Sequence, residues 1–150
     1  MSYDPSLPLK YQIVETTNSS VQTVSNSSVE INGSKIDYNF SEGSHIVYKF
    51  SFYMDCNGTH TASIFKLETS ADNSSWSHIN GYSLMIGDDR AAENQRTNVN
   101  LFFVIPVSSI SRYLRIVGFS INGVTSFDLF QTSFEGTNRY INSILEVFTI

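Results

Sequence analysis

An all-β fold, an antiparallel sandwich or barrel, is what this sequence predicts, and three observations carry the prediction. First, residues 33–54 alternate. Ile36, Tyr38 and Phe40 fall on one side of a first run, and Ile46, Tyr48, Phe50, Phe52 and Met54 share one side of a second. Successive side chains leave a strand on opposite faces, so a period of two marks a half-buried strand. Second, short runs of this kind recur at roughly ten-residue spacing with Gly/Asn turns between them, and no amphipathic helix of three turns interrupts them. Third, the composition suits strands. Charged residues make up 15% of the chain, against roughly 25% in ordinary soluble domains, and Phe 11 and Tyr 8 stand against a single Trp.

At 150 residues the chain is long enough for one domain with a real core and too short for two of ordinary size. Residues 1–30 are the least core-like and read as an N-terminal strand or docking arm; 31–150 read as the sandwich. Pro5 and Pro8 discourage pairing at the start, and Tyr11, Gln12, Ile13 and Val14 form a short strand. The Ser/Asn/Thr-rich stretch 18–28 is a loose strand or the arm itself. Val29, Glu30 and Ile31 lead into Asn32-Gly33, the strongest short hairpin signal in the chain, because both residues tolerate positive φ.

Beyond the alternating pair, 59–69 runs back as a strand carrying Ala62, Ile64, Phe65 and Leu67. A turn over 71–74 lets 76–79 pair back; Asn80-Gly81 turns again before a further strand over 82–86. The polar stretch 87–96 is a loop or one helical turn. Residues 97–105 alternate, with Val99, Leu101, Phe103 and Ile105 on one side, yet Phe102 and Val104 make the other side apolar too. Pro106 ends that strand, 113–119 is the next, and Asn122-Gly123 marks a turn before 126–131. A loop over 135–138 precedes a last apolar strand over 140–150.

Several functions are excluded or unsupported at this level. The net charge is -5 with no basic run, so the Lys/Arg footprint of nucleic-acid binding is missing. No stretch approaches the ~18 apolar residues of a membrane span, and the first ten residues lack a signal peptide's apolar core, so synthesis in a cytoplasm is expected. Cys56 has no second cysteine for a disulfide or a metal pair. His45, His60 and His78 share no ligand spacing, and no nucleophile signature accompanies them. Asp88, Asp89 and Glu93 cluster without the order of an EF-hand and read as a solvated loop. The expectation is a protein that is not an enzyme and uses no cofactor or metal.

Binding surfaces carry more. Trp76, Tyr82 and Tyr113 are candidate ligand platforms, with Tyr140 as a further exposed aromatic, although core packing explains such rings as well. Strands apolar on both faces in an antiparallel fold need a second cover. In a chain without helices that cover is another copy, so a homo-oligomer of closed symmetry is expected.

The run Asn32-Gly33-Ser34-Lys35-Ile36 with Tyr38, followed by Gly43-Ser44 and Ile46-Val47-Tyr48-Lys49-Phe50, resembles a pattern in structural proteins of tailed phages, particularly marine ones. There an N-G-S-x-I-x-Y strand, a short loop and a V-x-Y-x-F strand open a jelly-roll domain. Phe65-Lys66-Leu67, Tyr113-Leu114-Arg115-Ile116 and Leu145-Glu146-Val147 look like later strands of that pattern. Residues 67–79 also resemble an L-x-x-S-x-D-x-S-x-W hairpin of β-sandwich modules, some of them sugar-binding. The resemblance implies a tumour-necrosis-factor-like or C1q-like jelly roll, assembled as a homotrimer, acting in a virion as a capsid or tail fibre head or decoration protein. It implies contacts with other virion proteins and with the host surface, a glycan included. Inner-sheet aromatics would then pack around the three-fold axis, which makes Tyr48, Phe50, Phe52, Leu101, Phe103 and Phe148 the expected interface. No trimerising coiled coil or fibre shaft is present, so a complete small protein and a head domain both stand open. A monomeric carbohydrate-binding β-sandwich is the alternative function.

Overall fold

The computed structural model describes residues 11–37, 43–57, 62–87, 95–121 and 126–150. In chain order the strands begin with β1 (Tyr11–Thr16), β2 (Gln22–Val24), β3 (Val29–Glu30), β4 (Ile36–Asp37) and β5 (His45–Asn57). Then come β6 (Ala62–Ser70), β7 (Ser77–Gly87), β8 (Gln95–Pro106) and β9 (Tyr113–Ser120). The chain finishes with β10 (Ser126–Leu129), β11 (Gln131–Phe134), β12 (Thr137–Tyr140) and β13 (Ser143–Thr149). One turn of 3-10 helix, Val107–Ser109, is the single helical element among the described residues.

Eleven of these strands form two antiparallel sheets packed face to face as a jelly-roll sandwich, and β11 and β12 pair as a separate two-stranded ribbon. In the first, β8 pairs one edge of β5 along its length, while the other edge of β5 takes β13 and then β10. Strand β1 lies outside β13, and β2 outside β10. In the second sheet β9 lies between β6 and the short strands β3 and β4, and β7 lies outside β6. The chain crosses between sheets from β2 to β3, β4 to β5, β5 to β6, β7 to β8, β8 to β9 and β9 to β10, the winding of a jelly roll.

Strand β5 organises this arrangement. Ile46, Tyr48, Phe50, Phe52 and Met54 are all at most 3% exposed, and they face Phe65, Leu67, Leu114 and Ile116 of the second sheet. Ring contacts run from Phe50 to Phe52 (5.1 Å), Phe52 to Phe65 (5.1 Å) and Phe65 to Phe127 (5.7 Å). Each such side chain stabilises the fold by about 1.5–3 kcal/mol through burial, with a smaller gain from edge-on ring geometry. Gly118 makes room for this cluster: a Cβ there would stand 2.9 Å from Ile31 Cδ1 and 3.1 Å from Phe65 Cε1.

The turn signals form turns, but not the expected ones. Asn32-Gly33 does not close a hairpin, because β3 and β4 both pair with β9 and the chain resumes its direction after the turn. Gly33 has φ +82, and a Cβ on it would meet Ser143 Oγ at 2.6 Å. Ser34 then heals the gap in the edge: Ile116 N donates to its Oγ at 3.1 Å, and that hydroxyl donates to Ile116 O at 3.2 Å. From the facing sheet, the buried Tyr48 hydroxyl donates to the Ser34 carbonyl oxygen. Asn80-Gly81 likewise sits inside β7, at the irregularity where Lys66 pairs Ser83 but Glu68 pairs His78.

Residues 11–30, set apart above as part of an arm, carry three strands of the two sheets, and Val24 is fully buried. The expected strand over 126–131 divides at Phe130, which adopts φ 68 with its ring in the core against Phe52. A bulky residue there is strained; Tyr53 O accepts from Phe130 N and Phe130 O accepts from Ile141 N, which fixes it. The last strand is broken too, with β12 pairing β11 and β13 joining the first sheet. Residues 1–10 and Asn122-Gly123 lie outside the described residues.

Two expectations follow. Tyr48→Phe strands the buried Ser34 carbonyl and Ser34→Ala strands Ile116 N, so each variant loses about 1–3 kcal/mol in urea unfolding. Burial also pushes the Tyr48 phenol well above its ordinary 10.0, so stability is full below pH 10 and falls as pH rises beyond it; Tyr48→Phe flattens that alkaline loss. At the β6–β7 turn, Ser75 N and Ser74 N donate to the Asp72 carboxylate at 2.8 and 2.9 Å and hold its pKa far below the usual range. A depressed carboxylate stabilises above its unfolded pKa and loses that contribution as pH falls. The thermal-midpoint deficit of Asp72→Ala is therefore present at neutral pH and shrinks in acid below 3.8.

Candidate functional site

The outer face of the first sheet is the surface with unsatisfied chemistry. Strand register assembles it from residues far apart in the chain. Tyr11, Phe148, Val47 and Val104 stand opposite one another in a row across β1, β13, β5 and β8. The next row is Ile13, Glu146, Lys49 and Phe102; the third is Glu15, Ile144, Ser51 and Asn100. Tyr11, Ile13, Phe102, Val104 and Ile144 are 40–59% exposed. Single exposed apolar residues are ordinary, but a contiguous set rimmed by polar groups marks a contact surface.

Charge is confined to the middle of the apolar rows. Lys49 Nζ lies 3.5 Å from Glu146 Oε2, and the Tyr11 hydroxyl donates to Glu146 Oε1 at 3.1 Å. Desolvation against the sheet, then Glu146, raise the Tyr11 pKa, so the phenol stays a neutral donor. The Tyr11 ring packs on Phe148 at 5.9 Å. Two apolar margins result, Tyr11 and Ile13 on β1 and Phe102 and Val104 on β8, with one ion pair between them.

Further along the strands the same face turns polar. A shallow cleft of about 260 Å³ is lined by Ser51, Tyr53, Asn98, Asn100, Asn142 and Ile144, with Phe52 and Ile141 completing its wall. None of these side chains is charged. The Ser51 hydroxyl donates to Asn100 Oδ1 at 2.8 Å, and Asn142 Nδ2 donates to Glu15 at 2.9 Å. Sequence alternation places Asn98 and Asn100 on the polar side of their strand, but nothing in the sequence brings them to Asn142.

On the outer face of the second sheet a band of charged groups is paired internally, beside an apolar row of Met85, Ile64 and Phe119 in which Met85 is 63% exposed. Arg115 bridges Glu68 at 2.8 Å and Glu30 at 3.2 Å, and Glu30 also meets Lys35 at 3.7 Å. Trp76 and Tyr113 lie on this face, and each has an arginine over its ring: Arg115 at 4.0 Å from Trp76 and Arg112 at 5.0 Å from Tyr113. Arg112 in turn forms a two-pronged pair with Asp37 and lowers that carboxylate's pKa. Tyr82 is elsewhere, packed edge-on against Phe103 at 5.9 Å where β7 meets β8 between the sheets. The three expected platform residues therefore do not converge on one site.

The expected interface also divides. Tyr48, Phe50, Phe52 and Leu101 are at most 3% exposed in the core of the single chain, so they cannot meet a partner copy. The stronger apolar stripe of each strand faces its own second sheet, and the weaker stripe is left outside. Phe103 closes the sandwich with Tyr82; Phe148 alone of the six belongs to the outer face. His45 Nδ1 lies 2.8 Å from Ser44 Oγ, and His78 Nδ1 lies 2.9 Å from Leu67 O. His60, Asp88, Asp89, Glu93 and the Cys56 side chain lie outside the described residues. Among the described residues no group of three or more His, Cys, Asp or Glu could hold a metal ion.

Neither a protein-family model nor a curated protein sequence matches the chain. Solved structures do share its architecture. The crystal structure of the infectious bursal disease virus VP2 subviral particle superposes with a TM-score of 0.56 at 9% identity, covering 99% of this chain and 36% of that one. The structure of the infectious bursal disease virus Gt strain gives 0.50 at 9%, covering 99% and 37%. The chain thus spans little more than a third of the chains it matches. At such identity the likeness establishes the β-sandwich fold.

The Trp76–Arg115 stack generates a stability prediction. A double-mutant cycle of Trp76→Ala and Arg115→Ala in urea unfolding should give a coupling of about 0.5–1 kcal/mol.

Proposed function

We propose that this chain is a non-enzymatic structural component of a virus particle, of bacteriophage type, that works as a homotrimer in the tumour-necrosis-factor- or C1q-like manner. The observation that carries the reading is the registered apolar surface on the outside of the first sheet, with Tyr11 and Ile13 at one margin and Phe102 and Val104 at the other. Two different margins suit head-to-tail contact, in which β1 of one copy meets β8 of the next. Contacts of that kind form rings when the rotation between copies closes, and a three-fold rotation gives the trimer. The fold likeness to a VP2 that forms a subviral particle supports the virion setting, and the motif resemblance over residues 32–50 supports the phage origin. Other virion proteins and the host surface are the remaining partners of this reading, and a capsid or tail fibre head or decoration protein is its place in the particle.

Trimerisation moves here from the buried aromatics to the outer face. Sedimentation or light scattering at micromolar concentration should give three times the chain mass. Ile13→Glu combined with Phe102→Glu buries unpaired charge in each contact, costing on the order of 3 kcal/mol or roughly a hundredfold in Kd, and should yield a folded monomer. A wild-type monomer, or a double variant that still forms trimers, would sink the proposal.

A further inference from the structure

We infer that the amide-lined cleft at the polar end of the first sheet's outer face is a binding site for a neutral pyranose unit. Its size is the first argument. About 260 Å³ lies just below the roughly 300–1,000 Å³ of pockets that take drug-sized molecules, the scale of one small ring. Its chemistry is the second. Asn98, Asn100, Asn142, Ser51 and Tyr53 bring amides and hydroxyls, which both donate and accept, and among the described residues no charged side chain lines the space. A sugar ring carries the same mixture of donors and acceptors and no charge. A wholly apolar ligand would strand the amides, and the neighbouring Glu15 carboxylate already accepts from Asn142 Nδ2.

Preorganisation is the third argument. Ser51 donates to Asn100 Oδ1 at 2.8 Å, which leaves the Asn100 amide nitrogen as a pair of outward donors. Asn142 is fixed from both ends, its Nδ2 on Glu15 at 2.9 Å and its Oδ1 accepting from Asn18 N at 3.3 Å. The half-buried Tyr53 ring is anchored through its hydroxyl to Thr132 Oγ1 at 3.3 Å. Tyr53 and the 45% exposed Ile144 supply the apolar surface that the C–H side of a pyranose needs. Groups held in place before binding lose little entropy on binding. The Ser51–Asn100 pair and the facing Tyr53–Asn98 pair are successive same-face rungs of β5 and β8, so the sheet itself spaces the polar contacts.

The site goes beyond the assembly reading and stands without it, because one chain supplies every group. In a trimer three such clefts would act together and raise a weak affinity by avidity.

The test is amide-resolved NMR titration with the methyl glycosides of glucose, galactose, mannose and N-acetylglucosamine, up to about 50 mM, since so small a site should bind at roughly millimolar Kd. At least one glycoside should give saturable shifts of the Asn98, Asn100 and Asn142 side-chain amides. Asn100→Asp keeps the acceptor for Ser51 and removes the outward amide donors, so it should weaken binding about tenfold with the fold unchanged. Asn98→Ala should weaken it similarly, and Trp76→Ala should not. The Ile13→Glu, Phe102→Glu double variant should bind the monosaccharide as the wild type does, which separates this test from that of assembly. No shifts with any of the four sugars, shifts centred on Trp76, or binding indifferent to both asparagine variants would overturn the proposal.

Discussion

The hydrogen-bonded junction of Tyr48, Ser34 and Ile116 is the constraint on which the rest of this sandwich depends. Tyr48 stands on the core face of β5, and its hydroxyl reaches the Ser34 carbonyl at the edge of the other sheet. Ser34 spends its own hydroxyl on both backbone groups of Ile116 in β9. Apolar burial supplies most of the favourable free energy, since the rings around Phe50, Phe52 and Phe65 remove far more area from water than one hydroxyl does. Burial is not directional, however. A buried hydroxyl without a partner costs about 1–3 kcal/mol, so the junction penalises arrangements that slide the sheets past one another.

Register matters here because a one-residue slip would exchange the two faces of β5. In the native register, Ile46, Tyr48, Phe50, Phe52 and Met54 point inward, and Val47, Lys49, Ser51 and Tyr53 form the middle of the outer surface. The apolar rows, the Lys49–Glu146 pair and the amide cleft are all read out across β5 from its neighbours β13 and β8. The surface chemistry is thus fixed by the same pairing that fills the core.

Local alternation made β5 and β8 legible in the sequence, because each is long and its core stripe is unbroken. It also made the surplus legible: Phe102 and Val104 on the second side of β8 signalled an uncovered face. Which aromatics would meet a partner was not legible. Tyr48, Phe50, Phe52 and Leu101 form the denser stripe, and the denser stripe packs on the chain's own second sheet. Turn chemistry misled for a related reason. Asn32-Gly33 and Asn80-Gly81 supply positive φ, but positive φ serves a kink along a strand edge as well as a hairpin. Long-range pairing decided between them, through β9 in one case and β6 in the other. The cleft was out of reach altogether, since Ser51, Asn98 and Asn142 come from three separate parts of the chain.

A sandwich of this winding hosts many unrelated functions, so the fold by itself assigns none. The reading has to come from how the two outer faces differ. On the second sheet, Arg115 and Arg112 stack on Trp76 and Tyr113 and pair with Glu30, Glu68 and Asp37, so those charges are paired and those two rings are covered. On the first sheet one ion pair sits between two apolar margins, and open amides follow along the strands. Covering the margins gains apolar burial without stranding a charge, and filling the cleft satisfies donors that water now holds. Docking over the charged band of the second sheet would first have to break its salt bridges, although the neighbouring row of Met85, Ile64 and Phe119 leaves Met85 63% exposed. The proposed contacts both use the face built across β5, on the opposite side of the strand from Tyr48.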